Sequence, residues 1–288
     1  MSSAGGELPP AMGRRIALRL VYDGSRYSGW QLQPGRATVQ GTLAEAIRSV
    51  SGEEILPKGA SRTDAGVHAL DQVAAFTSTS GHTAEVWVKA LNALLPTDIT
   101  VREGCEVALD FNPVTAAIRK RYRYRIHDAS WRPVLQRHLV WHWRGRLDVD
   151  RMREAAMALV GEHDFTSFES SLSPRQSKIR TIHALTVGRP PLADDAAESE
   201  VWIEVEGNGF LYNMVLIIAG SLAVVGAGKR PPEWLGQALA ARRRPAAGPT
   251  APPQGLVLAK SDLEAGWQTS PKASELGIWR SFPNNSAP

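Results

Sequence analysis

Three short stretches of this 288-residue chain combine residue types that can do chemistry. The first is Gly59-Ala60-Ser61-Arg62-Thr63-Asp64-Ala65-Gly66-Val67-His68-Ala69. An aspartate followed two residues later by glycine reads as an ordinary turn, in which the carboxylate bonds local N–H groups and the glycine supplies a positive φ. Arg62 falls outside that explanation, because it sets an anion binder beside a candidate carboxylate nucleophile. The second stretch is Arg119-Lys120-Arg121-Tyr122-Arg123-Tyr124-Arg125. Its period of two sends tyrosines to one face of a strand and arginines to the other, so one face is aromatic and the opposite one strongly positive. Two core tyrosines are the plain reading; a tyrosine holding a base gains about 1 to 3 kcal/mol by stacking. The third is Asn208-Gly209-Phe210-Leu211-Tyr212-Asn213-Met214-Val215-Leu216, where a glycine ahead of a helix leaves N–H groups for an anion or simply turns the chain.

The elements that must position these residues follow from periodicity. Ile16, Leu18, Leu20 and Tyr22 alternate with polar or small neighbours over Arg15 to Tyr22, which predicts a strand. Val39, Leu43, Ala46, Ile47 and Val50 share a helical face behind a cap at Thr38. A short apolar piece at Glu54 to Lys58, a strand at Gln72 to Thr77, a helix at Ala84 to Leu95 and a strand at Ile99 to Val107 complete a β-α-β-β-α-β order. A second round runs through a strand from Arg119, a helix at Val149 to Val160, strands at Ile179 to Val187 and Val201 to Val205, and an apolar helix at Leu211 to Val225. A helix at Pro232 to Ala241 and a strand at Gly255 to Ala259 follow. The expected fold class is α+β: two ferredoxin-like halves sharing a continuous antiparallel sheet, with helices on one side and a broad ligand surface on the other. The expected divisions are a loose tail at 1–13, domains at 14–112 and 113–262, and an extension at 263–288.

Composition narrows the partners. The 33 basic residues comprise 26 arginines and seven lysines against 29 acidic residues, for a net charge of +4. Arginine matches phosphate bidentately and stacks on bases, so the bias fits a phosphate-rich partner, although a GC-rich coding sequence produces it too. Cys105 is the one cysteine, which excludes an internal disulfide and a cysteine zinc site and fits a reducing cytoplasm. The N-terminal stretch lacks the pattern of a signal peptide, and the apolar run Met214 to Val225 is too short to span a bilayer. His138 and His142 lack the glutamate of a zinc helix, and Gly226-Ala227-Gly228-Lys229 lacks phosphate-loop spacing. No cofactor or metal is expected.

The segments Tyr22-Asp23-Gly24-Ser25-Arg26-Tyr27-Ser28-Gly29-Trp30-Gln31, Ser61 to Ala69, Arg121-Tyr122-Arg123-Tyr124, Gly161-Glu162-His163-Asp164-Phe165-Thr166-Ser167-Phe168, Gly209 to Val215 and Thr250-Ala251-Pro252-Pro253-Gln254-Gly255-Leu256 resemble, in order, the tRNA pseudouridine synthase A family. The resemblance runs from about Arg15 to Asp262. It implies the pseudouridine synthase fold and isomerisation of uridine to pseudouridine on the 3′ side of the anticodon stem-loop, at tRNA positions 38, 39 and 40. It also implies a homodimer whose RNA spans both subunits. By this match Asp64 is the catalytic carboxylate, attacking sugar or base or abstracting a sugar proton. Arg62 helps flip the target and hold its phosphate. Tyr122 stacks on the extruded base, and its hydroxyl serves the late proton step.

One departure bears on the chemistry. After Phe210 to Val215 the family pattern continues with an arginine expected to pair with the catalytic carboxylate, and this chain has Leu216. Losing that cation forfeits a pKa depression of about 1 to 3 units, and an apolar pocket would raise the carboxyl further. Two readings follow: an active synthase in which Arg26 or Arg180 substitutes, or a tRNA-binding homologue with impaired catalysis. Ser61, where the family commonly has glycine, and Asn112, where it often has histidine, are lesser departures.

Overall fold

The computed structural model describes residues 13–170, 177–190 and 199–264. The tail at 1–12, most of the Gly188 to Ser199 loop and the extension from 265 onward therefore lie outside the described residues. The first half is β1 (Arg14–Tyr22), α1 (Val39–Ser51), β2 (Lys58–Gly59), β3 (His68–Ser78), α2 (Ala84–Leu94) and β4 (Ile99–Val107). The second comprises α3 (Pro113–Ala116), β5 (Ala117–His127), β6 (Trp141–His142), α4 (Val149–Ala156), β7 (Gly161–Asp164), β8 (Ile179–Gly188), β9 (Glu200–Gly207), α5 (Met214–Gly226), α6 (Trp234–Ala240) and β10 (Leu256–Leu263). This is the α+β architecture the periodicities predict. Among the described residues no helix is long and apolar enough to cross a membrane.

Local chemistry sets the helix ends. Thr38 caps α1 by accepting from the Gly41 N–H, Gly52 closes it in the left-handed region, and Thr83 caps α2. Asn112, at one of the departures, caps α3 by accepting from the Val114 N–H at 3.2 Å. The segment expected as one helix over Val149 to Val160 tightens into a 3₁₀ turn at Met157–Leu159. The strand expected at Glu54 to Lys58 shrinks to β2, a two-residue pairing with β3.

The sheet runs β4-β1-β3-β10-β5-β9-β8-β7, with β2 on β3 and β6 on β5. Its continuity depends on β10, which lies parallel to β3 through Val257 and Leu258 and antiparallel to β5 along most of its length. The two halves thus meet in space at the last strand, far along the chain from their covalent joint near residue 112. Ile16, Leu18, Leu20 and Tyr22 of β1, Tyr122, Tyr124 and Ile126 of β5, and the apolar faces of the helices form one buried core.

The strongly positive face expected on β5 is corrected by the structure. Strand β9 presents glutamates opposite the arginines: Arg121 and Arg119 reach Glu206, Arg123 reaches Glu204, and Arg125 reaches Glu200 at 2.7 Å. Trp202 lies against the Arg123 guanidinium, 4.1 Å from ring centroid to Cζ. The register pairs Arg121 with Glu206 and Arg123 with Glu204, so these two cations have their counter-ions directly across the strands, while Arg125 stands opposite Trp202 and reaches diagonally to Glu200. Tyr122 and Tyr124 occupy the core face, as the alternation predicts.

Candidate active site

The Asp64 segment leaves β2 and turns back into β3. Gly66 takes φ +77°, and the Val67 N–H donates to the Asp64 carbonyl at 3.1 Å, which closes a four-residue turn. The turn reading is therefore correct for the backbone. It fails for the side chain: among the described residues nothing donates a hydrogen bond to the Asp64 carboxylate and no cation pairs with it. The carboxyl is half-buried. Burial, the cause acting on it, pushes its pKa up from 3.8 to about 6.

A second loop clamps this turn from outside. The Trp30 N–H donates to the Thr63 carbonyl at 2.9 Å, and the Gly66 N–H donates to the Tyr27 carbonyl at 3.2 Å. The approach is so close that two glycines are obligatory. A Cβ on Gly24 would lie 2.0 Å from the Val67 carbonyl oxygen, and one on Gly29, at φ +89°, would lie 2.6 Å from the Thr63 carbonyl oxygen. Gly24→Ala is accordingly expected to cost about 1 to 3 kcal/mol of stability, the range for overpacking; urea unfolding at pH 7 measures it, and a loss under about 0.5 kcal/mol, the scale of surface changes, would contradict the clamp.

A buried polar network supports the turn from below. Tyr22 and Thr63 share a hydroxyl hydrogen bond of 2.7 Å. The fully buried Gln72 amide holds both backbone groups of Ser61, donating to its carbonyl at 2.7 Å and accepting from its N–H at 3.2 Å. Sequence reasoning missed Gln72; the available signal was an amide, beside Asp71, at the head of the apolar run Val73-Ala74-Ala75-Phe76. It also missed the partner role of Gly24 and Gly29.

Tyr122 lies close enough to Asp64 for the carboxylate charge to act on its phenol. The phenol is 7% exposed. Burial foremost, with the charge of Asp64 adding, raises its pKa to about 12, while the Ser61 hydroxyl lowers it. Phe210 meets its ring edge-on, centroids 5.2 Å apart. Arg62 is exposed on the same loop, and no acidic side chain pairs with it among the described residues.

Leu216 is 3% exposed in the first turn of α5 and belongs to the core. Neither proposed substitute answers the charge of Asp64. Arg26 is committed to Asp98, with contacts of 2.5 and 2.8 Å. Arg180 runs alongside Gly209 and donates to the Ile179 carbonyl at 2.5 Å. Among the described residues the site is thus a carboxylate without a partner on a tight turn, a buried phenol within reach of its charge, and an exposed Arg62 on the same loop.

Comparison with known proteins gives this arrangement its class. The family described as tRNA pseudouridine synthase matches residues 20–114 and 155–262. A tRNA pseudouridine synthase A of Geotalea uraniireducens is 44% identical over 245 residues, covering 85% of this chain and 98% of the relative. That of Halalkalibacterium halodurans is 40% identical over 254 residues, 88% and 94% respectively. That of Myxococcus xanthus is 42% identical over 244 residues, 85% and 90%. This chain belongs to the tRNA pseudouridine synthase family, a class of isomerases.

Proposed function

We propose that this chain isomerises uridine to pseudouridine on the 3′ side of the tRNA anticodon stem-loop, with Asp64 as the catalytic carboxylate. The observation that carries the reading is the state of Asp64: half-buried, without a partner among the described residues, and pushed up by burial to a pKa of about 6. At neutral pH such a carboxylate is ionised yet poorly solvated, and its raised basicity makes it a better nucleophile or base than an exposed aspartate. The loss of the family arginine therefore leaves a charged Asp64.

In the reaction the bond from the sugar C1′ to base N1 breaks, the base rotates, and C1′ bonds to C5. The proton leaves C5 and N1 gains one, so the product is an isomer and no electron acceptor is required. Asp64 serves the first stage by attack on sugar or base or by taking a sugar proton. Burial keeps the Tyr122 phenol protonated. It therefore acts as a donor or relay in the late step in which the proton leaves C5. Stacking on Tyr122 and a phosphate contact from Arg62 would offset a flipping cost of a few kcal/mol. The same reading has two copies acting as a homodimer in the cytoplasm, as the resemblance implies.

The test is tritium release from tRNA carrying 5-tritiated uridine by this chain and by Asp64→Ala. Release by the first alone supports the reading; equal release, or none from either, defeats it. The cross-strand pairing of the arginines adds a second expectation. Arg121→Met should leave tRNA affinity and its salt dependence unchanged between about 50 and 200 mM salt in filter binding, whereas a phosphate contact would reduce the salt slope by about one.

A further inference from the structure

Residues 250–255 cross between the apolar helix and the last strand, and they contact the first turn of that helix, the Tyr122 strand and the Asp64 turn without contributing a reactive side chain. The Ala251 N–H donates to the Leu216 carbonyl at 3.1 Å. The Tyr124 hydroxyl, two residues from Tyr122, donates to the Pro252 carbonyl at 2.7 Å. A Cβ on Gly66, in the Asp64 turn, would lie 3.1 Å from the Pro253 ring. The strap then enters β10, whose register joins β3 to β5. Two prolines stiffen it by fixing φ.

His68 ties the strap to the Asp64 loop. It is 5% exposed and begins β3, four residues after Asp64. The Gly24 N–H lies 3.1 Å from its Nδ1, and the Asp23 carboxylate of the same clamping loop is also 3.1 Å from that nitrogen; Nε2 faces a carbonyl, which can only accept, so the ring carries a proton there. Nε2 then donates to the Gln254 carbonyl, 3.2 Å away. One neutral imidazole thus joins the clamping loop on one side to the strap on the other.

We infer that the 250–255 strap sets the placement of Asp64 against Tyr122, and that His68 is the positioning residue through which it acts. The inference rests on Asp64 being the catalytic carboxylate, and it deepens that reading. A loosened strap lets the Asp64 turn move away from the Tyr122 strand and admits water to the carboxylate.

The experiment compares this chain with His68→Ala, His68→Gln, Tyr124→Phe and the His68→Ala/Tyr124→Phe double variant. It reads tritium release from 5-tritiated tRNA and the titration midpoint of the Asp64 carboxyl by carbon NMR, each on samples shown folded by circular dichroism. For His68→Ala the expected result is a kcat lower by roughly 10- to 100-fold, the scale of a small misplacement, with KM for tRNA unchanged. His68→Gln recovers most of the rate, because an amide can donate to Gln254 and accept from Gly24. The double variant loses no more than the worse single one, since both free the same strap. The Asp64 midpoint falls by about a unit or more toward the solvated value in His68→Ala and in Tyr124→Phe. Losses that multiply, a KM that rises while kcat holds, or an unmoved Asp64 midpoint would overturn the inference. If the parent chain releases no tritium, the catalytic reading fails by itself, and the titration decides the strap alone.

Discussion

Asp64→Ala is expected to lower tritium release from 5-tritiated tRNA by at least about a thousandfold, the scale on which removal of a covalent catalyst is felt, while tRNA affinity stays within about twofold. The same substitution should make the protein more stable. Folding raises the Asp64 pKa from 3.8 to about 6, so between roughly pH 4 and pH 6 the native chain binds more protons than the unfolded one. Stability therefore falls as pH rises through that window, and above it the full penalty of holding a charged carboxylate in a half-buried site is present. Removing the carboxyl relieves about 1 to 3 kcal/mol at pH 8 and nothing at pH 3, worth a few degrees in Tm. Unfolding followed at both pH values measures this; an equal effect at the two would contradict the placement of the carboxylate. Activity and stability are opposed at this position, as expected where a site keeps a charge without its counter-ion.

Leu216→Arg is the second large effect. By the family resemblance an arginine at this position would pair with the Asp64 carboxylate, and in this structure Leu216 opens α5 against the strap that also contacts the Asp64 turn. An arginine reaching Asp64 would lower its pKa by about 1 to 3 units. The acidic limb of the rate profile then moves from a midpoint near 6 to one between about 3 and 5, and the rate at pH 5 rises roughly five- to tenfold. At pH 8 the parent carboxylate is already ionised, so the plateau should change by only a few fold. Steady-state release at the two pH values tests this. A plateau that rises a hundredfold in Leu216→Arg would show that the parent site is disarmed and that tRNA binding is its remaining activity.

The sequence made the strands and helices legible because each carries its own period: the alternation in Arg14–Tyr22 and the helical face of Val39–Ser51 are local properties. It made Asp64 legible through its motif and Tyr122 through its strand face. Pairing across long separations was not legible. Arg121, Arg123 and Arg125 read as a positive face because their counter-ions sit about 80 residues downstream on β9, and the register that aligns Glu206 and Glu204 with them is a property of the sheet. The alternating glutamates of Glu200–Gly207 were the missed clue. The role of β10 was hidden for the same reason, since nothing in Leu256–Leu263 announces a parallel partner in β3. β7, a short polar edge strand, has no apolar period to reveal it. Gly24 and Gly29 belonged to a recognisable motif, but their necessity lies in carbonyl oxygens of a loop some 40 residues away.

The most direct measurement is the pH dependence of tritium release by the unaltered chain from 5-tritiated tRNA, between pH 4.5 and 8.5, a span set roughly two units either side of the Asp64 midpoint. The account predicts a rate that rises about tenfold per unit at low pH and levels off with a midpoint near 6, matching the burial-shifted Asp64 carboxyl. A rate independent of pH, a midpoint near that of a solvated aspartate, or no release at any pH would contradict it.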